Sequence, residues 1–226
     1  MSAAAVSADK LSAEARRAIS ALLVALAEFK QILGFHYAAW CIRGPSIEAN
    51  IALAGMAQEE VGHALVLGGL LTDDFKHAVP SKDTVVTWLR WSEHSGSSAL
   101  STMIESWPEM IVTCLALDAA ATATLEALKS SAYLRLAQRA GKMVQEERFH
   151  LTFAIETART FATMPKEARV ALAARYQREL GEAVARLASA EDLSRLAALG
   201  LLSQKAVEAR AQFLQGVTRR LDAAWG

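Results

Sequence analysis

The chain is poor in residues that interrupt helices. Only 4 prolines and 12 glycines occur in 226 residues, so long uninterrupted helices are allowed. Cysteine is scarcer still. Cys41 and Cys114 are the whole complement, too few for a disulfide framework and in keeping with a reducing cytoplasm, the expected location. Neither sign of charge is in excess. Lys+Arg and Asp+Glu number 24 each, for a formal net charge of +0. That balance removes the basic footprint expected of a nucleic-acid binder or a protein of anionic membrane surfaces. The start, MSAAAVSADK, has no basic stretch leading into a long apolar run, so no signal peptide is expected. No apolar run reaches about 18 residues, so no membrane span is expected either. Period-2 alternation rich in β-branched residues is absent too, which excludes an extensive sheet.

What remains is helical. Hydrophobic residues make up 53% and charged residues 21% of the chain, as in a globular protein with a substantial core. Ala and Leu recur at helical spacing. Gly44-Pro45-Ser46 separates two helices, expected over about 12–42 and 46–71. The polar stretch 72–83, which contains Pro80, reads as a crossover loop. A short helical piece with Trp88 and Trp91 follows it. A third long helix is expected over about 100–129, with a bend near Pro108, and a fourth over about 132–163. After Pro165 come helices over roughly 166–188 and 203–224. The reading is all-α and one domain over 1–226: a four-helix bundle at about 12–163 with additional C-terminal helices at about 166–224.

One segment occurs twice. Met56 to His63 reads MAQEEVGH, and Met143 to His150 reads MVQEERFH. Each copy holds a Glu and a His three residues apart, neighbours on one helix face. A carboxylate oxygen and an imidazole nitrogen so placed can bind one metal ion. The copies lie on the second and fourth helices, which marks a duplicated helix pair.

The duplication directs attention to the first and third helices. Between Glu14 and Glu48 the only acid is Glu28, in LVALAEFKQIL. Between Glu109 and Glu126 the only acid is Asp118, in VTCLALDAAATA. A carboxylate buried in such surroundings costs several kcal/mol unless it is paired or binds a metal. Glu28 lies 32 residues before Glu60, and Asp118 lies 29 before Glu147. Antiparallel helices with a short connection bring such positions to one level. Glu109 is a poorer candidate, since nine residues at about 100° each put it on the opposite face from Asp118. The candidate metal-ligating and catalytic residues are therefore Glu28, Glu60, His63, Asp118, Glu147 and His150. A Glu-x-x-His on two helices with a lone acid on the other two is the ferritin-like dimetal-carboxylate arrangement. Four carboxylates and two imidazoles suit two iron ions, with manganese as the alternative.

Within each Glu pair, Glu59 and Glu146 stand four residues before the His and also share its face. They are the alternative ligands, or else they act outside the first ring. Most other conspicuous residues read as ordinary structure. His36, two turns after Glu28, and Cys114, one turn before Asp118, fit core positions. His77 and His94 fit exposed loops. Trp40, Trp88, Trp91 and Trp107 fit packing, and Lys142 and Arg148 fit a solvated face.

These motifs carry a resemblance. QEEVGHA preceded by GPSIEANIALAGMA, with Trp40-Cys41 before the Pro45 turn, resembles the first helical hairpin of the phenylacetate-CoA oxygenase family. QEERFH, with Asp118 upstream, resembles its second. The resemblance covers roughly residues 28–153. It implies a ferritin-like fold, a carboxylate-bridged di-iron centre and a non-haem monooxygenase that epoxidises or hydroxylates an organic substrate. The family's substrates are aromatic acyl-CoA thioesters such as phenylacetyl-CoA, and an external reductase supplies electrons. It also implies a homo- or hetero-oligomer. The family includes a companion subunit that has lost its metal ligands and serves structure. The presence of all six ligand positions sets this sequence apart from the companion. The apolar residues around Asp118 and Phe149 are expected to line a dry substrate pocket. Two rivals remain: iron oxidation or peroxide scavenging, as in ferritins and rubrerythrins, and a non-catalytic subunit of an oxygenase complex.

Overall fold

The computed structural model describes residues 6–76 and 104–225. The readings for Trp88, Trp91, His77, His94 and Pro80 lie outside the described residues. Four long helices run as α1 (Ala13–Trp40), α2 (Ile47–Phe75), α3 (Trp107–Leu128) and α4 (Leu134–Arg159). A 3-10 turn, Thr160–Thr163, leads to α5 (Lys166–Leu187), the short α6 (Ala190–Ala198) and α7 (Gln204–Trp225). The structure is all-α, in keeping with a ferritin-like bundle carrying extra C-terminal helices.

Serine caps set the starts. Ser12 accepts from the Ala15 amide and Ser46 from the Ala49 amide. Ser106 and Glu109 form a reciprocal capping box at the head of α3. Pro108 sits in that first turn, where its missing N–H costs nothing. The expected bend there is thus a helix start.

The expected loop at 72–83 begins late, because α2 continues to Phe75. Acids at a helix C-terminus oppose the macrodipole, yet Asp73 and Asp74 have partners. Arg135 reaches Asp74 at 2.5 Å and Asp73 at 3.2 Å, and the Tyr133 hydroxyl donates to Asp74. Arg16 donates to the Asp74 carbonyl at 2.8 Å. These contacts tie the end of α2 to α1 and to the start of α4.

α1 packs along α2, and α3 packs along both α4 and α5. The approach of α1 to α2 is close at Gly34, where an added Cβ would meet Glu60 Cβ at 3.2 Å and the Ala57 carbonyl at 3.3 Å. α3 is buried on nearly every face from Met110 to Leu128. That burial explains its apolarity. α1 and α3 are long and apolar enough to cross a membrane by length and composition, although the sequence suggested no such segment. Both are mostly buried inside the bundle, as core helices are. α5 and α7 cover the outer side of α3. Arg175 on α5 bonds Thr113 at 2.9 Å and Glu109 at 3.1 Å, and the Trp225 indole donates to the Ala158 carbonyl at 2.8 Å.

Candidate metal centre

The duplicated motifs face each other across the middle of the bundle. Glu60 and His63 project from α2, Glu147 and His150 from α4, and Asp118 from α3. All five are buried. Ligand atoms of Glu60, Asp118, Glu147 and His150 lie within 4.8 Å of one another, a group that could hold a metal ion. His63 flanks that group, its Nδ1 3.2 Å from Glu147 Oε1.

The two histidines are braced crosswise. His63 Nε2 pairs with Glu146 of the other motif at 2.7 Å, and His150 Nε2 pairs with Glu59 at 2.8 Å. Glu59 and Glu146 thus hold the outward ring nitrogens, and both Nδ1 atoms turn inward. This is the way a carboxylate behind an imidazole fixes a ligand's tautomer and orientation. In the centre, four buried atoms lack an aligned hydrogen-bond partner: Glu60 Oε2, Asp118 Oδ1, and Nδ1 of His63 and of His150. Two carboxylate oxygens and two imidazole nitrogens left unsatisfied form a donor set suited to a cation.

The first helix departs from expectation. Glu28 is not among the gathered ligand atoms. Its carboxylate accepts from Arg186 of α5 at 2.8 Å. The α1 residue inside the centre is Lys30, fully buried. Its Nζ donates to Glu60 Oε1 at 2.9 Å and to Glu147 Oε1 at 2.5 Å. Helix phase explains the exchange. Lys30 shares the buried stripe of Leu23, Leu26, Leu33 and Tyr37, whereas Glu28, two residues earlier, is turned about 200° away. Lys30 also lies 30 residues before Glu60, closer to the 29 separating Asp118 from Glu147. The position that carries the lone acid of this arrangement therefore carries an ammonium.

Two further residues went unnoticed in the sequence. The Tyr37 hydroxyl donates to Asp118 Oδ2, and the ring stands edge-on to His150 with centroids 5.8 Å apart. Thr122 donates to Glu147 Oε2 at 3.2 Å. Tyr37 lies two turns after Lys30 and Thr122 one turn after Asp118, so helical phase was the available signal for both.

The electrostatics follow from this packing. Burial alone would strip the Lys30 proton, but the carboxylates of Glu147, Glu60 and Asp118 outweigh it and raise the ammonium above its ordinary range. Burial, then the neighbouring Glu147 charge, pushes the Glu60 carboxyl up to about 7. Burial pulls Glu147 the same way, yet Lys30 and the two imidazoles hold it well below the usual carboxylate range. Burial also opposes the charge on His150, but the Asp118 and Glu60 carboxylates raise it to about 12. His63 is raised too, the Glu147 carboxylate overcoming burial.

Access to the centre is narrow. A cavity of about 200 Å³ reaches His63 between α2 and α4, bordered by Gly62, Val66, Arg139, Lys142 and Met143. Phe149 does not line a dry pocket beside Asp118. It lies at the surface, 53% exposed, stacked on Phe153.

A four-helix bundle with an imidazole–carboxylate cluster at its middle defines the class: a ferritin-like protein with a buried group able to bind a metal ion. Within that class the family is specific. A family model described as phenylacetic acid catabolic protein matches residues 1–224, and the chain belongs to that family. The match extends through the C-terminal helices, well past the 28–153 span of the sequence resemblance. No curated protein matches the chain. Membership ties the protein to phenylacetate catabolism and to a subunit of an enzyme.

Proposed function

We propose that this chain is a companion subunit of a phenylacetate-type oxygenase complex and does not itself carry the two-metal oxidant. The carrying observation is Lys30. In the dimetal arrangement each of the four helices supplies a carboxylate. Here α1 supplies an ammonium that binds Glu60 and Glu147 together. Those two carboxylates would have to bridge or bind both ions, and a second divalent ion would stand against a buried cation with little solvent between them. The donor set does not fit two ions.

The small cavity supports the same reading. About 200 Å³ at His63 is below the roughly 300 Å³ at the low end of small-molecule sites. On this reading the crosswise ion pairs hold the bundle's shape, and its surfaces serve assembly with a metal-bearing partner. A reductase and an aromatic acyl-CoA would then engage the complex through that partner.

The four-donor group favours one second reading, in which the chain is itself the non-haem oxygenase and uses iron or manganese. One experiment separates the two. The purified chain is supplied with ferrous iron, a chemical reductant, dioxygen and phenylacetyl-CoA, and products are followed by mass spectrometry. The companion reading predicts no oxygenated product, and epoxide or hydroxylated thioester above the level of free iron would overturn it.

A further inference from the structure

We infer that the centre is a mononuclear site: one divalent cation binds on the α3–α4 side, and the Lys30 ammonium stands where a second ion would lie. The inference deepens the companion reading but does not depend on the chain being inert.

The two sides of the centre differ in how their free donors are grouped. On the α3–α4 side, Asp118 Oδ1 and His150 Nδ1 are buried without an aligned hydrogen-bond partner, and so is Glu60 Oε2 of α2. Their residues, with Glu147, form the group whose ligand atoms lie within 4.8 Å of one another. His150 Nδ1 is 3.2 Å from Glu60 Oε1 and 3.7 Å from Asp118 Oδ1, so the imidazole already faces the oxygens that would share its ion. Glu59 holds the far nitrogen of that ring at 2.8 Å. Behind the oxygens, Tyr37 fixes Asp118 and Thr122 fixes Glu147. His150, Asp118 and Glu147 thus each have an outer partner, as the ligands of a built metal site do.

The α1–α2 side holds the ammonium and leaves free His63 Nδ1, which stands outside that group. Glu60 Oε1 and Glu147 Oε1 each accept from Lys30. Among the described residues the other donor there is His63, and Glu28 of α1, which accepts from Arg186, is not in the gathered group. Charge agrees with the geometry. Three buried carboxylates and one ammonium leave two negative charges, which a single divalent ion with neutral imidazole ligands balances. Two ions would leave a net positive charge buried in the bundle.

Cobalt(II) titration of the chelator-treated full chain tests this. Bound metal is counted by elemental analysis after desalting, and coordination is followed by visible absorption. One ion per chain is expected. Asp118→Asn should weaken binding by more than the roughly 10–100-fold that loss of an outer partner costs, and His63→Gln should leave it nearly unchanged. Lys30→Glu, which restores the fourth carboxylate, should raise the count to two. Circular dichroism identifies any variant that fails to fold, and the wild-type count then stands by itself. Two ions in the wild type, none at all, or one ion that His63→Gln removes and Asp118→Asn spares would overturn the proposal. Turnover is a separate readout. An active chain with one ion would defeat the companion reading alone, and an inert chain with two ions would defeat this inference alone.

Discussion

The two halves of the duplicated centre share the Glu-Glu-x-x-His pattern and differ in what the preceding helix supplies, Asp118 from α3 and Lys30 from α1. The α3–α4 half holds Asp118, Glu147 and His150, with Asp118 Oδ1 and His150 Nδ1 unsatisfied, as Glu60 Oε2 and His63 Nδ1 are in the other half. The α1–α2 half keeps Glu60 and His63 but receives Lys30 from the first helix. The outer braces are the same in both, His63 to Glu146 and His150 to Glu59. The braces that orient the imidazoles are thus alike in the two halves, while the charge supplied by the preceding helix is opposite in sign. Buried carboxylates need a cation, and the sequence can provide it as an ion or as a side chain.

Removing Lys30 should break the comparison most severely. Lys30→Met leaves Glu60 and Glu147 buried against each other without their shared cation. Loss of one partner from a buried pair costs about 3–5 kcal/mol, so the metal-free protein should unfold on the order of 10 °C lower or more. Thermal unfolding followed by circular dichroism in chelator measures this. An unchanged midpoint would mean that Lys30 does not neutralise the centre.

The pH dependence of the metal-free protein should expose the same charges. Glu60, raised to about 7, and His150, raised to about 12, bind protons more tightly folded than unfolded. Their stabilisation is complete below their unfolded values and is lost as pH rises through the folded ones. Glu147, held low, behaves oppositely, and its stabilisation is lost as pH falls below the ordinary carboxylate value. Stability should therefore peak near pH 4–5 and decline by on the order of 1–3 kcal/mol as pH rises through 7. Urea unfolding across pH checks the sign. A steady gain between pH 6 and 8 would contradict it.

The two braces sharpen the contrast further. Glu59→Gln disturbs the ring that faces the ion side and should weaken cobalt binding by roughly 10–100-fold. Glu146→Gln disturbs only His63 and should weaken it several-fold at most. Equal effects would place the ion symmetrically between the halves. The smallest effect belongs to the acid that the sequence singled out. Glu28→Gln loses a partly exposed pair with Arg186 and should cost about 1 kcal/mol or less while leaving metal binding unchanged.

Much of this was legible in the sequence. The doubled Glu-Glu-x-x-His, the all-α bundle and Asp118 as the acid of α3 all follow from helical spacing and from the scarcity of acids in apolar stretches. The same scarcity misled on α1. It drew attention to Glu28 because that acid is alone, although the core stripe through Leu26, Leu33 and Tyr37 passes through Lys30. A lysine in an apolar helix is easily taken for a side chain that reaches solvent, and only the facing carboxylates reveal it as buried. On the resemblance, six ligand positions set the sequence apart from a metal-free companion; the structure places Lys30, not Glu28, against Glu60 and Glu147. The end of α2 was illegible for a different reason. Asp73 and Asp74 look like loop residues until Arg16, Tyr133 and Arg135, distant in sequence, are brought beside them.

The most direct measurement is anomalous diffraction from crystals of the full chain grown with cobalt(II). The account predicts one metal peak per chain, bounded by Asp118, His150, Glu60 and Glu147, with Lys30 Nζ still between Glu60 and Glu147. Two peaks about 3.5–4 Å apart, as in two-metal sites, with Lys30 turned out of the centre, would contradict it.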